Sequence, residues 1–352
     1  MKYFQITILI LYFLFLTSCS KKEDLDVLPI FNIDSLQNPE DVDLKKNFDV
    51  VIYGGTMAGI MGAVEVVKSG RSVLLINQKG GALGGMTTNG LGITDLVHSK
   101  AYGGLTREFY SSVLNYYNNS SNWNSGNFDT YEYKSKVVKD NIMTWFEPKA
   151  AKSIVQRLIK TYKIPIVSNV NLDRVNGILK NSLNAIVSIK MESGEKFRGK
   201  FFIDATYEGD LMAGAGVKYH IGRESNAVYG ESLNGIQRIL ENNVFQIVSG
   251  IKSERHFDNL NFENGFGDKK IQAYCYRMCL TDLPKNRVKI EKPIGYDEKD
   301  YDLIFEFIKK NPGKFLYFFD IRKLPNDKTD SNNNSAISIF TRFLGKSVKH
   351  IR

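Results

Sequence analysis

Cysteine and histidine are scarce: the 352 residues include three cysteines and four histidines. Cys275 and Cys279 stand four apart in AYCYRMCLT with no histidine nearby, so they cannot supply the four ligands of a cubane iron–sulfur cluster. The spacing puts both thiols on one face of a helix or of a strand. They read as small buried apolar residues, with a disulfide as the alternative in an exported chain. No metal site is expected. A basic stripe is also lacking. Lys and Arg exceed Asp and Glu, 47 to 38, for a net charge of +9 and a pI of about 9.1. The cations are scattered without interleaved aromatics, which argues against nucleic acid as a partner. Such a balance suits an anionic membrane surface or an acidic substrate. No internal repeat is found.

The apolar run after Met1-Lys2 ends in Leu16-Thr17-Ser18-Cys19. A short h-region closing on small residues reads as a secretory signal, not a membrane span. Leu-Thr-Ser-Cys looks like the bacterial lipobox, in which Cys19 becomes the lipid-modified first residue of the mature protein. The expected location is therefore extracytoplasmic, with the chain anchored to a bacterial membrane by lipid. No twin-arginine pair precedes the run, so export is expected in the unfolded state. Residues 20–47 are polar, mixed in charge and aperiodic, as in a flexible tether.

The stretch with most chemical content is FDVVIYGGTMAGIMGAVEVVKSGRSVLLIN, Phe48 to Asn77. Val50 to Tyr53 is a short β-branched run suited to a buried parallel strand. Gly54-Gly55 turns the chain, a helix is expected from about Ala58 to Lys68, Gly70 ends it, and Ser72 to Ile76 forms a second strand. This βαβ unit holds a dinucleotide pyrophosphate at a helix N-terminus, where bare backbone N–H groups and the helix dipole meet the phosphates. The fingerprint is altered: Gly54 is followed by Thr56 in place of the second glycine, then Ala58 and Gly59. Asn77 stands where an acidic residue would accept from the ribose.

Several blocks together resemble the FAD-dependent oxidoreductases of the glutathione-reductase-like superfamily, in particular the group related to the flavin subunit of heterodisulfide reductase. They are YGGTMAGIMGA (53–63), GGMTTNGLGITD (84–95), GGLTREFY (103–110), FEPKAA (146–151), FIDATYEGDLMAGAG (202–216), YGESLNGIQ (229–237), IQAYCYRMCLT (271–281) and KTDSNNN (328–334). The resemblance implies an α/β fold: a Rossmann-like FAD-binding domain, with a parallel sheet and a β-hairpin or meander crossover, plus an inserted α+β substrate subdomain. It implies FAD as cofactor. Relatives also carry an iron–sulfur cluster, for which this chain has too few cysteines. The expected organisation is 1–19 signal, 20–47 tether, 48–217 FAD-binding domain, 218–334 substrate or cap region and 335–352 an atypical tail.

The loop from Gly84 to Gly92, including Gly85, Met86, Thr87 and Thr88, is placed along the flavin by this resemblance, with hydroxyls able to donate to phosphate or ribityl oxygens. Glu147-Pro148 starts a helix that leads to a strand near Ile164 to Val167 and on to Leu172, whose backbone lies by the adenine in the superfamily. Ala185 to Met191 and Lys196 to Phe202 read as a hairpin about Ser193-Gly194. The second arm continues to Ala205 and Thr206 at a strand C-terminus, where α/β folds place ligands. Hydride transfer to or from a flavin needs a proton acceptor and a positive charge near the reacting group. The candidates are Glu208, His220, Arg223 and Arg277. The expected reaction moves a hydride between flavin and an unidentified small extracytoplasmic molecule, with the electron acceptor open. A dehydrogenase using nicotinamide alone would need none of the later blocks. Relatives continue past the KTDSNNN block into a closing segment beside the flavin, whereas the sequence here turns to SAISIFTRFLGKSVKHIR. A truncated or frame-shifted product that binds FAD weakly and does not turn over is the alternative expectation.

Overall fold

The structure is a computed structural model that describes residues 43–95, 98–236, 265–269, 271, 277–310, 312–313 and 319–333. The expectations for Cys19, Cys275 and the segment from Asn334 onward lie outside the described residues.

Strand β1 (Asn47–Tyr53) and strand β2 (Val73–Ile76) run parallel, Val50 opposite Val73 and Tyr53 opposite Ile76. Helix α1 (Met57–Lys68) connects them. It starts where the Thr56 side chain accepts from the Gly59 N–H, and it stops at Gly70, whose φ of +70° suits a residue without Cβ. Helices α2 (Gly104–Asn118) and α3 (Pro148–Thr161) follow, the latter with Glu147 at its N-cap and proline in its first turn. Between them, β3 (Val138–Lys139) and β4 (Ile142–Met143) form a small hairpin about Asp140 and Asn141, with φ of 50° and 60°. Then come β5 (Ile166–Val167), β6 (Ile178–Lys180), β7 (Ile186–Lys190) and β8 (Lys196–Asp204).

The main sheet has the order β5-β2-β1-β8-β7-β6. Strands β5, β2, β1 and β8 are mutually parallel, while β7 and β6 turn back antiparallel. The expected hairpin and the expected return strand are thus one continuous element: β8 pairs with β7 at its start and with β1 along to Asp204. After β8 comes a short helix α4 (Asp210–Gly214), and far downstream β9 (Phe319–Leu324) pairs antiparallel with β10 (Lys328–Asn333).

Side-chain alternation sorts the central strands onto two cores. Ile52, Val73 and Leu75 face α1 and α3, packing on Ile60, Val64, Val155 and Ile159. Val51, Tyr53, Leu74 and Ile76 face the meander side, against Leu172, Ile189, Met191 and Phe197. Each aliphatic side chain fully buried in this way contributes about 1.5–3 kcal/mol relative to exposure. A third cluster joins α2 and α3 to Trp145, Phe146 and Leu324 at the end of β9. From Gly199 to Asp204 no described strand pairs with the second edge of β8, and Phe201 is 68% exposed there. Among the described residues, no helix is long and apolar enough to cross a membrane.

Candidate functional site

β1 delivers the chain to Gly54-Gly55 at the C-terminal edge of the parallel strands, and α1 begins two residues later. Three elements converge on this turn so closely that side chains are excluded. A Cβ on Gly54 would stand 2.5 Å from the Ala205 carbonyl carbon, one on Gly55 2.1 Å from Asn77 Oδ1, and one on Gly59 2.0 Å from the Gly54 carbonyl oxygen. Thr56, in the place of a fingerprint glycine, locks the arrangement: its hydroxyl donates to the Ala205 carbonyl at 2.7 Å and accepts from Gly59 N–H at 3.3 Å. Ala58 is exposed in the first turn of α1, and no acceptor among the described residues takes its N–H. A bare backbone turn leading into a helix N-terminus fits a pyrophosphate. The Asn77 amide donates to the Gly81 carbonyl at 2.7 Å, which leaves Oδ1 as the acceptor beside Gly55.

The Gly84–Gly92 loop docks on the same turn. Gly84 N–H donates to the Gly55 carbonyl at 2.8 Å, and Gly84 and Gly85 take φ of +90° and +56°. Met86 is half exposed, and its N–H donates to the Tyr207 hydroxyl at 2.9 Å. The expectation that both threonines offer hydroxyls to a ligand is corrected for Thr88. That residue is fully buried and donates to the Leu83 carbonyl at 2.7 Å, so it braces the loop from inside. Thr87 is half-buried, with no hydrogen bond to its hydroxyl among the described residues. At the far end of the loop, the N–H groups of Gly92 and Ile93 both donate to Asp330 Oδ2 at 2.8 Å. Arg277 donates to the other carboxylate oxygen at 2.9 Å, and Asp330 is 1% exposed.

Arg277 and Arg223, expected to supply positive charge near the reacting group, are both engaged by carboxylates. Arg223 sets its guanidinium fork on Asp268, with Nε at 3.0 Å. His220 is half exposed and its Nδ1 lies 3.9 Å from Glu224, while Glu208 is exposed one residue past Tyr207. Thr206 also departs from expectation. Its N–H and hydroxyl both donate to Asp204 Oδ1, at 2.9 and 2.6 Å, and its hydroxyl accepts from Gly209 N–H. Asp204 further accepts from Met212 N–H, so this pair builds the turn into α4. Ala205 N–H donates to the Tyr53 carbonyl at 2.8 Å, holding β8 against β1. Leu172 is buried, and its N–H donates to the Tyr53 hydroxyl at 3.0 Å. Burial pushes the Tyr53 phenol above its ordinary pKa.

Sequence reasoning passed over Tyr53, Asp204, Tyr207 and Asp330 as working residues. Tyr53, Tyr207 and Asp330 bond to Leu172, Met86 and Gly92, partners too distant in sequence to give a local signal, whereas Asp204 bonds within its own block to Thr206 and Met212. Glu147 was read only as a helix start. It is fully buried and accepts from Asn326 Nδ2 at 2.6 Å and Lys328 Nζ at 3.2 Å, and its N–H donates to the Tyr117 hydroxyl. Burial, with Glu147 alongside, holds the Tyr117 phenol well above its ordinary range.

Among solved structures, the chain is similar to L-proline dehydrogenase from P. horikoshii, with 17% identity and a TM-score of 0.33 over 52% of this chain and 59% of that one. It is also similar to L-amino acid deaminase from Proteus myxofaciens, with 14% identity and a TM-score of 0.33 over 54% of this chain and 53% of that one. The chain thus spans between half and three fifths of the length of these proteins. No curated protein matches it. Residues 49–349 match the family described as FAD dependent oxidoreductase. With that match over most of its length, the chain belongs to the FAD dependent oxidoreductase family, whose cofactor the bare turn at Gly54, Gly55 and Gly59 fits.

Proposed function

We propose that this chain binds FAD at the Gly54–Gly59 turn and acts as an oxidoreductase on a small molecule. The observation that carries this reading is the docking of the Gly84 loop onto the Gly55 carbonyl, which unites two glycine-rich segments in one cradle. Bound FAD would supply hydride acceptance or donation at its ring. The chain's own residues bind and orient. The first turn of α1 receives the pyrophosphate, with its dipole favouring negative charge. Asn77 Oδ1 accepts from a ribose hydroxyl. Gly85 and Met86, fixed through Tyr207, form the floor on which a flat ring rests, and Asp330 keeps the loop from retreating. Of the two candidate proton acceptors, His220 lies beside Glu224, and Glu208 is preferred because it adjoins the tyrosine that holds Met86. Its substitution by Gln should depress turnover and leave FAD affinity unchanged.

The same reading places the mature protein outside the cytoplasm, held to a bacterial membrane through lipid on Cys19, and relates the chain to the flavin subunit of heterodisulfide reductase. Its support is the Leu16-Thr17-Ser18-Cys19 motif and the Gly84–Asp95 block. Cys19→Ala should leave the precursor unprocessed or release it from membranes; equal processing and membrane association would remove the anchor from the proposal. For the cofactor, the test is the visible absorbance of flavin in the purified or FAD-reconstituted chain. Stoichiometric flavin that is lost in Gly59→Leu supports the cradle, and a colourless protein that leaves FAD fluorescence unquenched overturns it. Tight flavin with no reduction by any donor, in a chain that gains activity when extended by a longer relative's C-terminal segment, would favour a non-catalytic fragment.

A further inference from the structure

A cleft of about 450 Å³ opens beside the β3–β4 hairpin, and none of its lining residues belongs to the Gly54–Gly59 turn or the Gly84–Gly92 loop. One side of the lining comes from the segment with His98 and Lys100, the other from the hairpin region with Lys136, Lys139, Asp140 and Thr144. The two sides are cross-braced by Arg107 of α2. Its Nη1 donates to the carbonyls of Ser99 at 3.2 Å and Tyr102 at 3.4 Å, and its Nη2 donates to the carbonyl of Asp140. The Ser99 hydroxyl donates to the Asp140 carboxylate, closing a second strut. The left-handed pair Asp140-Asn141 makes the hairpin turn tight. The concavity is thus shaped in advance of any ligand, which lowers the cost of binding.

Its charge is one-sided. Three lysines and a histidine surround a single carboxylate, and that carboxylate already accepts from Ser99. Lys134, just before this group, pairs with Asp129 at 2.8 Å. No carboxylate pairs with Lys100, Lys136 or Lys139 among the described residues. Lys136 Nζ instead lies 5.0 Å over the Trp145 ring, which keeps it at the cleft wall. Although each of these cations is exposed, like charges lining one concavity raise the local potential and concentrate counter-ions. Ammonium groups serve as point charges for oxyanions, and the volume falls within the range of small-molecule sites. We propose that this cleft binds the oxyanion group, carboxylate or phosphate, of a small molecule. The segment after β4 that lines it at Thr144 continues into Trp145, bridged to Ile93, and Phe146, whose N–H donates to the Gly92 carbonyl. The cleft thus adjoins the segment that meets the end of the glycine loop.

The test is calorimetric titration of the full chain with sodium phosphate and, separately, sodium succinate, at low ionic strength to limit screening. Three proteins are compared: the parent, Lys136→Gln/Lys139→Gln, and a control Lys289→Gln/Lys299→Gln on exposed lysines outside the cleft. We expect one anion to bind at one per chain, to weaken about tenfold or more in the cleft variant, and to bind the control like the parent. Which anion binds identifies the group. No saturable binding of either anion, or equal weakening in both variants, would overturn the proposal in favour of bulk positive charge.

Discussion

Asp330 Oδ2 accepts from Gly92 N–H at 2.8 Å although the two residues lie 238 apart in the chain. The same carboxylate takes Ile93 N–H and Arg277, so a single buried group ties the glycine loop to β10. Asp330→Ala would bury two unpaired N–H groups and strand Arg277. We expect a loss of about 3 kcal/mol in urea unfolding, together with weaker FAD binding. Asp330→Asn, which keeps one acceptor, should lose less. Equal stability of parent and Ala variant would show that the loop needs no tether.

The Gly54–Gly59 turn is tighter than its altered fingerprint suggests. Even the methyl of Gly59→Ala would meet the Gly54 carbonyl oxygen at 2.0 Å. FAD affinity should fall at least about tenfold, read by fluorescence quenching, and the parent's visible spectrum should be absent after gel filtration. Retained affinity would mean that α1 can shift away from β1 without harm.

Glu147 and Lys328 form the most enclosed ion pair described, with the Glu147 side chain 0% and the Lys328 side chain 21% exposed. Glu147→Gln preserves a partner for Asn326 but leaves the ammonium without its counter-charge. Because Lys328 can turn partly towards water, the expected cost is about 2 kcal/mol, read as a lower urea midpoint. No change in midpoint would mean that Lys328 swings out to solvent at no cost.

Asp49 sets an acid limit. A hydrogen bond from Lys200 Nζ, and two from the backbone N–H and hydroxyl of Ser72, hold its carboxyl well below the usual carboxylate range. A group with a depressed folded-state pKa stabilises the fold above its unfolded pKa, near 3.8, and that contribution fades as pH falls through the folded value. The Tm difference between parent and Asp49→Asn should therefore be present at pH 6 and shrink steadily below pH of about 4. A difference independent of pH would point to geometry, not ionisation.

Much of the fold was legible because its signals are local. The apolar runs at Val50 to Tyr53 and Ser72 to Ile76, Gly70 after α1, Pro148 in the first turn of α3 and Gly194 in the β7–β8 turn each state their structure within a few residues. The candidate site was legible only in its glycines. Thr88 and Thr206 have the hydroxyls a ligand would want, yet the nearest acceptors, Leu83 and Asp204, take them first. Arg223 and Arg277 find Asp268 and Asp330, which lie 45 and 53 residues downstream. Distance in sequence hid the two arginine pairings, whereas the threonine pairings are local and went to backbone and turn acceptors.

β1 is the hub of the sheet, but its two neighbours reach it on different schedules. β2 follows after one helix, whereas β8 must travel far enough to bring Ala205 to Thr56, 149 residues away. Closing so long a loop is entropically slow, and parallel pairing gives no reward until it is complete. A nascent chain halted before residue 204 would carry β1 with one side bare, an open invitation to chaperones or to aggregation. The parallel centre of the sheet is therefore complete only when its latest-made strand arrives.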